Sequence, residues 1–148
     1  MLWIVLFMSP GTARCRIGET LDECKARYGD PITVLENSAL FSKSGIFVST
    51  HFLKGKVDEI SYYRISVKNP KRHICPSDAE VKVLLNANAQ NSNWELEGSY
   101  WQHALWVNRE HGLSASRTER ALTITISDPA VFQGYHERKA AAKALEGF

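Results

Sequence analysis

The sequence lacks most of what would name a chemistry. It has no C-x-x-C pair, no H-E-x-x-H or H-x-H, no G-x-S-x-G, no P-loop and no G-x-G-x-x-G. Zinc ribbons, thioredoxin-like centres, zincins, nucleophile-elbow hydrolases and dinucleotide folds lose their signatures with them. The histidines His51, His73, His103, His111 and His136 form no i,i+4 pair on an expected helix. Neighbouring acids such as Asp58 and Glu59 point to opposite faces of a strand and cannot work as a pair. No catalytic residue, metal ligand or cofactor is nominated, so the chain is expected not to be an enzyme. A Cys-His hydrolase built on Cys24 and His51 is the most remote alternative, since nothing in the sequence depresses that thiol's pKa.

Charge of one sign is also scarce. A net charge of +2 with short basic stretches, "VKNPKRH" and "HERKAAAK", gives no stripe for a nucleic-acid backbone, and none is expected as partner. Long apolar runs are missing too. The one at the N-terminus, Leu2 to Met8, is far too short to span a bilayer as a helix. Followed by Ser-Pro-Gly-Thr-Ala, it reads as the core and cleavage end of a signal peptide, residues 1–13, although no Lys or Arg opens it. The competing reading is a buried first strand. The Arg before Cys15 does not suit lipid attachment, so a periplasmic or secreted protein is expected, with residues 14–148 as a single α+β domain.

Cysteines number three, Cys15, Cys24 and Cys75. One disulfide with one thiol left over, or three thiols, both fit the spacing, and connectivity stays open.

Two helices are well marked. Thr20-Leu-Asp-Glu23 is a capping box, Leu21, Cys24 and Tyr28 make one stripe, Gly29 offers a left-handed cap and Pro31 stops the helix. Ser77-Asp-Ala-Glu80 repeats the box ahead of Val81, Leu84 and Leu85. Between and after them lie strands: "ITVLE", a hairpin from Ile46–Leu53 to Val57–Val67 about Lys54-Gly55-Lys56, a second hairpin turning at Glu110-His111-Gly112, and the alternating "ALTITIS". Asp128-Pro129 opens a C-terminal helix over 129–146. Thr20 and Ser77, Glu23 and Glu80, and Gly55 and Gly112 all stand at one offset. A tandem helix-hairpin repeat, half-repeats 17–67 and 75–127, is therefore expected, with two capped helices packed on one face of a shared antiparallel sheet.

"IGETLDECKARYGDPI…FVSTHFLKGKVDEI" resembles the SmpA/OmlA-type (BamE-like) envelope proteins. Gly18, Thr20 and Tyr28-Gly29-Asp30-Pro31 match their helix and its stop, and Phe52, Gly55, Val57 and Ile60 fall near their hairpin pattern, within residues 17–65. The tandem arrangement is similar to β-lactamase inhibitor proteins. These resemblances imply non-catalytic envelope or secreted proteins that work by binding other proteins.

The aromatic residues carry the expected site. A single strand from Tyr100 to Asn108 would place Trp101, His103, Leu105 and Val107 toward the helices. Tyr100 and Trp106 would then stand outward, and Tyr62 and Arg64 would share one face of the first hairpin. Tyr100, Trp106, Tyr62 and Arg64 are thus the expected binding face for another envelope or secreted protein. The alternative is a small molecule or glycan held in a concave pocket around the tryptophans.

Overall fold

The computed structural model describes residues 16–100 and 103–126, so the segments expected as signal peptide and C-terminal helix, with Cys15 and Trp101, lie outside the described residues. Two α-helices and nine strands follow in the order α1 (Leu21–Tyr28), β1 (Thr33–Leu35), β2 (Ser38–Lys43), β3 (Ile46–Leu53), β4 (Lys56–Ile65), β5 (His73–Ile74), α2 (Asp78–Asn88), β6 (Glu95–Tyr100), β7 (His103–Asn108), β8 (Leu113–Arg117) and β9 (Leu122–Ile126). The fold is α+β, with the sheet the dominant part.

Both capping boxes form. Thr20 N donates to Glu23 Oε2 at 2.8 Å and Ser77 N to Glu80 Oε2 at 2.9 Å, while each hydroxyl accepts from the backbone N–H three residues on. The end of α1 differs in detail from the expected left-handed cap. Gly29 has φ 84° but ψ −166°, an extended exit open to glycine alone, which sends the chain directly into β1.

The sheet is antiparallel throughout, in the order β1-β2-β3-β4-β9-β8-β7-β6, with β5 added alongside β4. Each helix is followed by four strands in a meander, and the last strands of the two meanders, β4 and β9, pair at the middle. This arrangement corrects one sequence correspondence. Gly55 turns the third strand of its meander into the fourth, whereas Gly112 turns the second into the third, so the two glycines do not hold equivalent places. The turn matching Gly112 is the one at Ser44-Gly45.

A core forms on one side of the sheet. Register places Ala39, Thr50, Ile60, Ile124 and Ala115 in one row and Phe41, Val48, Tyr62 and Leu122 in the next, all buried. Cys24 of α1 and Val81, Leu84 and Leu85 of α2 join the same cluster. Backbone bonds Gly18 N to Val57 O, 2.7 Å, and Val57 N to Glu19 O, 2.8 Å, tie the start of α1 to β4. Two ion pairs tie the start of α2 to the sheet, Arg64 with Glu80 and Arg117 with Asp78 at 2.5 Å. None of the described helices is long and apolar enough to cross a membrane.

The stretch from Tyr100 to Asn108 is not one strand. Tyr100 pairs with His103, so the chain reverses there and β6 and β7 lie side by side. The face assignment also reverses. Ala115 faces Trp106 across β8 and β7, and this puts the even-numbered residues of β7 on the core side. Trp106 packs partly buried against the core cluster.

Candidate functional site

Of the four residues expected to form an aromatic binding face, the fold brings no surface together. Tyr62 is wholly buried. The pleat turns it to the same side as Ile60, and Asn88 Nδ2 donates to its hydroxyl at 3.2 Å. Arg64 lies on that side as well. Its guanidinium is spent on Glu80 and on the carbonyl of Gly45, 3.1 Å from Nη1. Trp106 faces the core. Of the four, Tyr100 alone is largely exposed, 74 % at the end of β6. The cause is common to all: which face of a strand meets the helices depends on register and on bulges at His51/Phe52 and Leu96/Gly98, not on the strand's own alternation.

The thiol-imidazole pairing fails on geometry. Cys24 is buried in the core and is disulfide-bonded, while Cys75 is a free thiol. His51 follows the buried Thr50 on β3, so it points to the other side, where its Nδ1 meets Asp58 Oδ1 at 2.7 Å. Among the described residues no three His, Cys, Asp or Glu side chains gather as metal ligands.

A concave apolar feature lies elsewhere. A cavity of about 390 Å³ opens between the end of α1, the start of α2 and strands β2–β4. Its floor is Val48 and Tyr62 and its walls are Tyr28, Ile46, Val83 and Leu84. Tyr28 is held by its ring against Phe41, centroids 5.5 Å apart. The gap exists because α1 has only eight residues and α2 starts beyond it, so two short helices leave part of an apolar face uncovered. Tyrosines rather than tryptophans line it.

Lys43, Ser44 and Glu80 stand at the mouth. The Lys43 ammonium is placed by the last turn of α1, donating to the carbonyl of Arg27 at 2.5 Å, a cation at the negative end of a helix. Glu80 is the one carboxylate of the lining, and it is already matched. Arg64 first, then the backbone N–H and hydroxyl of Ser77, hold its carboxyl at about 2, well below its ordinary value. Lys43 therefore contributes a charge that no carboxylate of the lining offsets. Arg64 also fixes Gly45, since a Cβ there would come within 2.9 Å of Nη1. Apolar walls with one cation at the rim can hold an apolar body and orient a polar or anionic end.

The sequence did contain the parts. Tyr28 and Leu84 belong to the helix stripes, and Ile46 and Val48 to the first arm of the Lys54-Gly55 hairpin. What no local pattern signals is that they stop short of closing on one another. Compared with protein-family models, with curated proteins and with solved structures, the chain matches none.

Proposed function

We propose that this is an exported, non-catalytic binding protein whose site is the cavity under Tyr28 and Val83. Its ligand is an amphipathic small molecule, apolar in body and anionic at the end that meets Lys43. The observation that carries the reading is the cavity itself, roughly 390 Å³ with an apolar lining, within the usual range of small-molecule sites. A disulfide at Cys24 supports an oxidising compartment, in keeping with the apolar N-terminal run. The two mirrored helix-plus-four-strand units support a duplicated origin, with both helices serving the same face of the sheet.

The test is titration of the full chain with anilinonaphthalene sulfonate, which is apolar with an anionic end. Saturable binding of one dye, displaced by a medium-chain carboxylate and lost in a folded Ala79→Trp variant that fills the mouth, is the expected result. Dye binding unchanged by Ala79→Trp would sink the assignment.

A protein partner is the second reading, and a specific feature favours it. Strand β1 is an edge of the sheet, and Ile32, Val34 and Leu35 beside its open side are 56 %, 50 % and 66 % exposed. Antiparallel self-pairing centred on Thr33 would set Asp30 against Glu36, like charges that oppose it. The partner is thus a different protein, offering a short apolar strand with basic flanks. A Val34→Lys variant that still captured such a strand would remove this reading.

A further inference from the structure

We propose that a second site, distinct from the apolar cavity, binds a tetrahedral oxyanion, a phosphate or sulfate group. It lies where the loop between β4 and β5 meets the turn between β8 and β9. The pocket there has a volume of about 490 Å³ and is lined by Asn69, Lys71, Arg72, His73, Glu119 and Arg120. Neither stretch is notable alone. Together they set three permanent cations around one carboxylate.

That carboxylate does not consume the donors. Arg72 Nη2 stands 3.7 Å and Arg120 Nε 3.8 Å from the oxygens of Glu119, both beyond hydrogen-bond distance. A charge-assisted guanidinium bond closes to roughly 2.7–2.9 Å. The contrast within this molecule is plain: Arg27 reaches Glu19 through two nitrogens at 2.5 and 2.9 Å. Arg72 and Arg120 are 60 % and 76 % exposed, with their forks open to solvent. Glu119 is a loose resident counter-charge, and an oxyanion accepting from both forks would replace it with short bonds.

The backbone carrying the cations is already ordered. Ser66 N donates to Arg72 O and Arg72 N to Asn69 O, each at 2.9 Å, and Lys71 N donates to Asn69 Oδ1 at 3.0 Å. Across the pocket, Arg120 N and Ala121 N both donate to Thr118 Oγ1 at 3.2 Å. Cys75 N donates to Glu119 O at 2.9 Å, which joins the two loops. His73 is placed by stacking on Tyr63, ring centroids 4.1 Å apart. Binding therefore orders side chains only, which keeps its entropic cost low.

The experiment is calorimetric titration of the full chain with sodium phosphate and sodium sulfate, against sodium chloride at equal ionic strength. Saturable binding of one phosphate or sulfate is expected, with none for chloride. Affinity should fall at least about tenfold in a folded Arg72→Ala/Arg120→Ala variant and rise in Glu119→Gln, where the competing carboxylate is gone. A sulfated tetrasaccharide separates the sources: binding tighter than free sulfate means that the group arrives on a sugar, and equal binding means a free ion. Affinity unchanged in the double variant, no gain in Glu119→Gln, or a heat equal to that of chloride would each overturn the proposal. Ala79→Trp leaves this pocket intact, so failure of the apolar site would not register here.

Discussion

Ile60 of β4 and Ile124 of β9 face each other across the middle of the sheet, both wholly buried, and theirs is the contact at which the two meanders become one body. Neither half covers this pair by itself. Ile60→Ala or Ile124→Ala is expected to cost about 2–5 kcal/mol, as for other large-to-small changes in a packed core. Because both halves share the seam, chemical denaturation of the variant should stay a single transition. Two separated transitions would mean that the halves fold independently.

Asn88 joins the last turn of α2 to the sheet. Its Nδ2 donates to Tyr62 Oη at 3.2 Å and to Leu84 O at 3.0 Å, in a wholly buried setting. Tyr62→Phe should cost about 1 kcal/mol, the net worth of a typical hydrogen bond. Asn88→Ala should cost more, since it also leaves a buried hydroxyl without that donor. Urea denaturation measures both. Equal stability of Asn88→Ala and the parent protein would contradict the link.

Acid should loosen α2 in a defined window. Glu80 is held at about 2 against an ordinary value of 4.5, chiefly by Arg64. A carboxylate depressed on folding contributes stability that is complete above its unfolded value and is lost as pH falls through the folded one. Parent stability should therefore decline from about pH 4.5 toward 2, and Glu80→Gln should flatten part of that decline. At pH 7 Glu80→Gln should melt below the parent protein, and near pH 2 the two should converge. A constant difference between them across this range would exclude Glu80 as the titrating group. Glu23 adds to the decline in the same direction, because the backbone N–H and hydroxyl of Thr20 lower its carboxyl too.

The Ser77 cap is coupled to that effect, because its hydroxyl also donates to Glu80 Oε2 at 2.9 Å. Ser77→Ala removes the hydroxyl acceptor for Glu80 N while leaving Arg64 in place, and should cost about 1 kcal/mol at every pH where Glu80 is ionised. Thermal melts at neutral pH would show it. No change in melting temperature would place the stability of α2 entirely in its packing.

Cys75 should react slowly. It is half-buried, and burial first of all pushes its thiol up, against the opposing pull of Arg117. Alkylation of the folded, unreduced protein should modify Cys75 at a rate that climbs steeply above neutral pH, while Cys24 stays unmodified in its disulfide. Peptide mapping that found Cys75 joined to Cys24 would overturn both statements.

Local order was determined by the sequence alone wherever one short segment carries its own signal. Thr20 with Glu23, and Ser77 with Glu80, satisfy the free N–H groups of a helix start within four residues, so those boundaries needed no partner to be read. The same holds for the Lys54-Gly55 turn, the helix stripes and the existence of strand β9 in "ALTITIS". Strand β2 carries a fainter signal, a run of only three apolar residues, Ala39-Leu40-Phe41, between polar ends, and β6 is masked by its charges and Gly98.

Tertiary structure alone decided the faces and the sites. A strand's alternation says that two faces differ, and the choice between them is made by neighbours whose register shifts by one residue at each bulge. That is why Tyr62 and Trp106 turned inward. The apolar cavity depends on how far α1 and α2 reach, and the cation cluster on Arg120 arriving beside Lys71 and Arg72. Both are properties of distances between segments remote in the chain, which no local pattern of residues encodes.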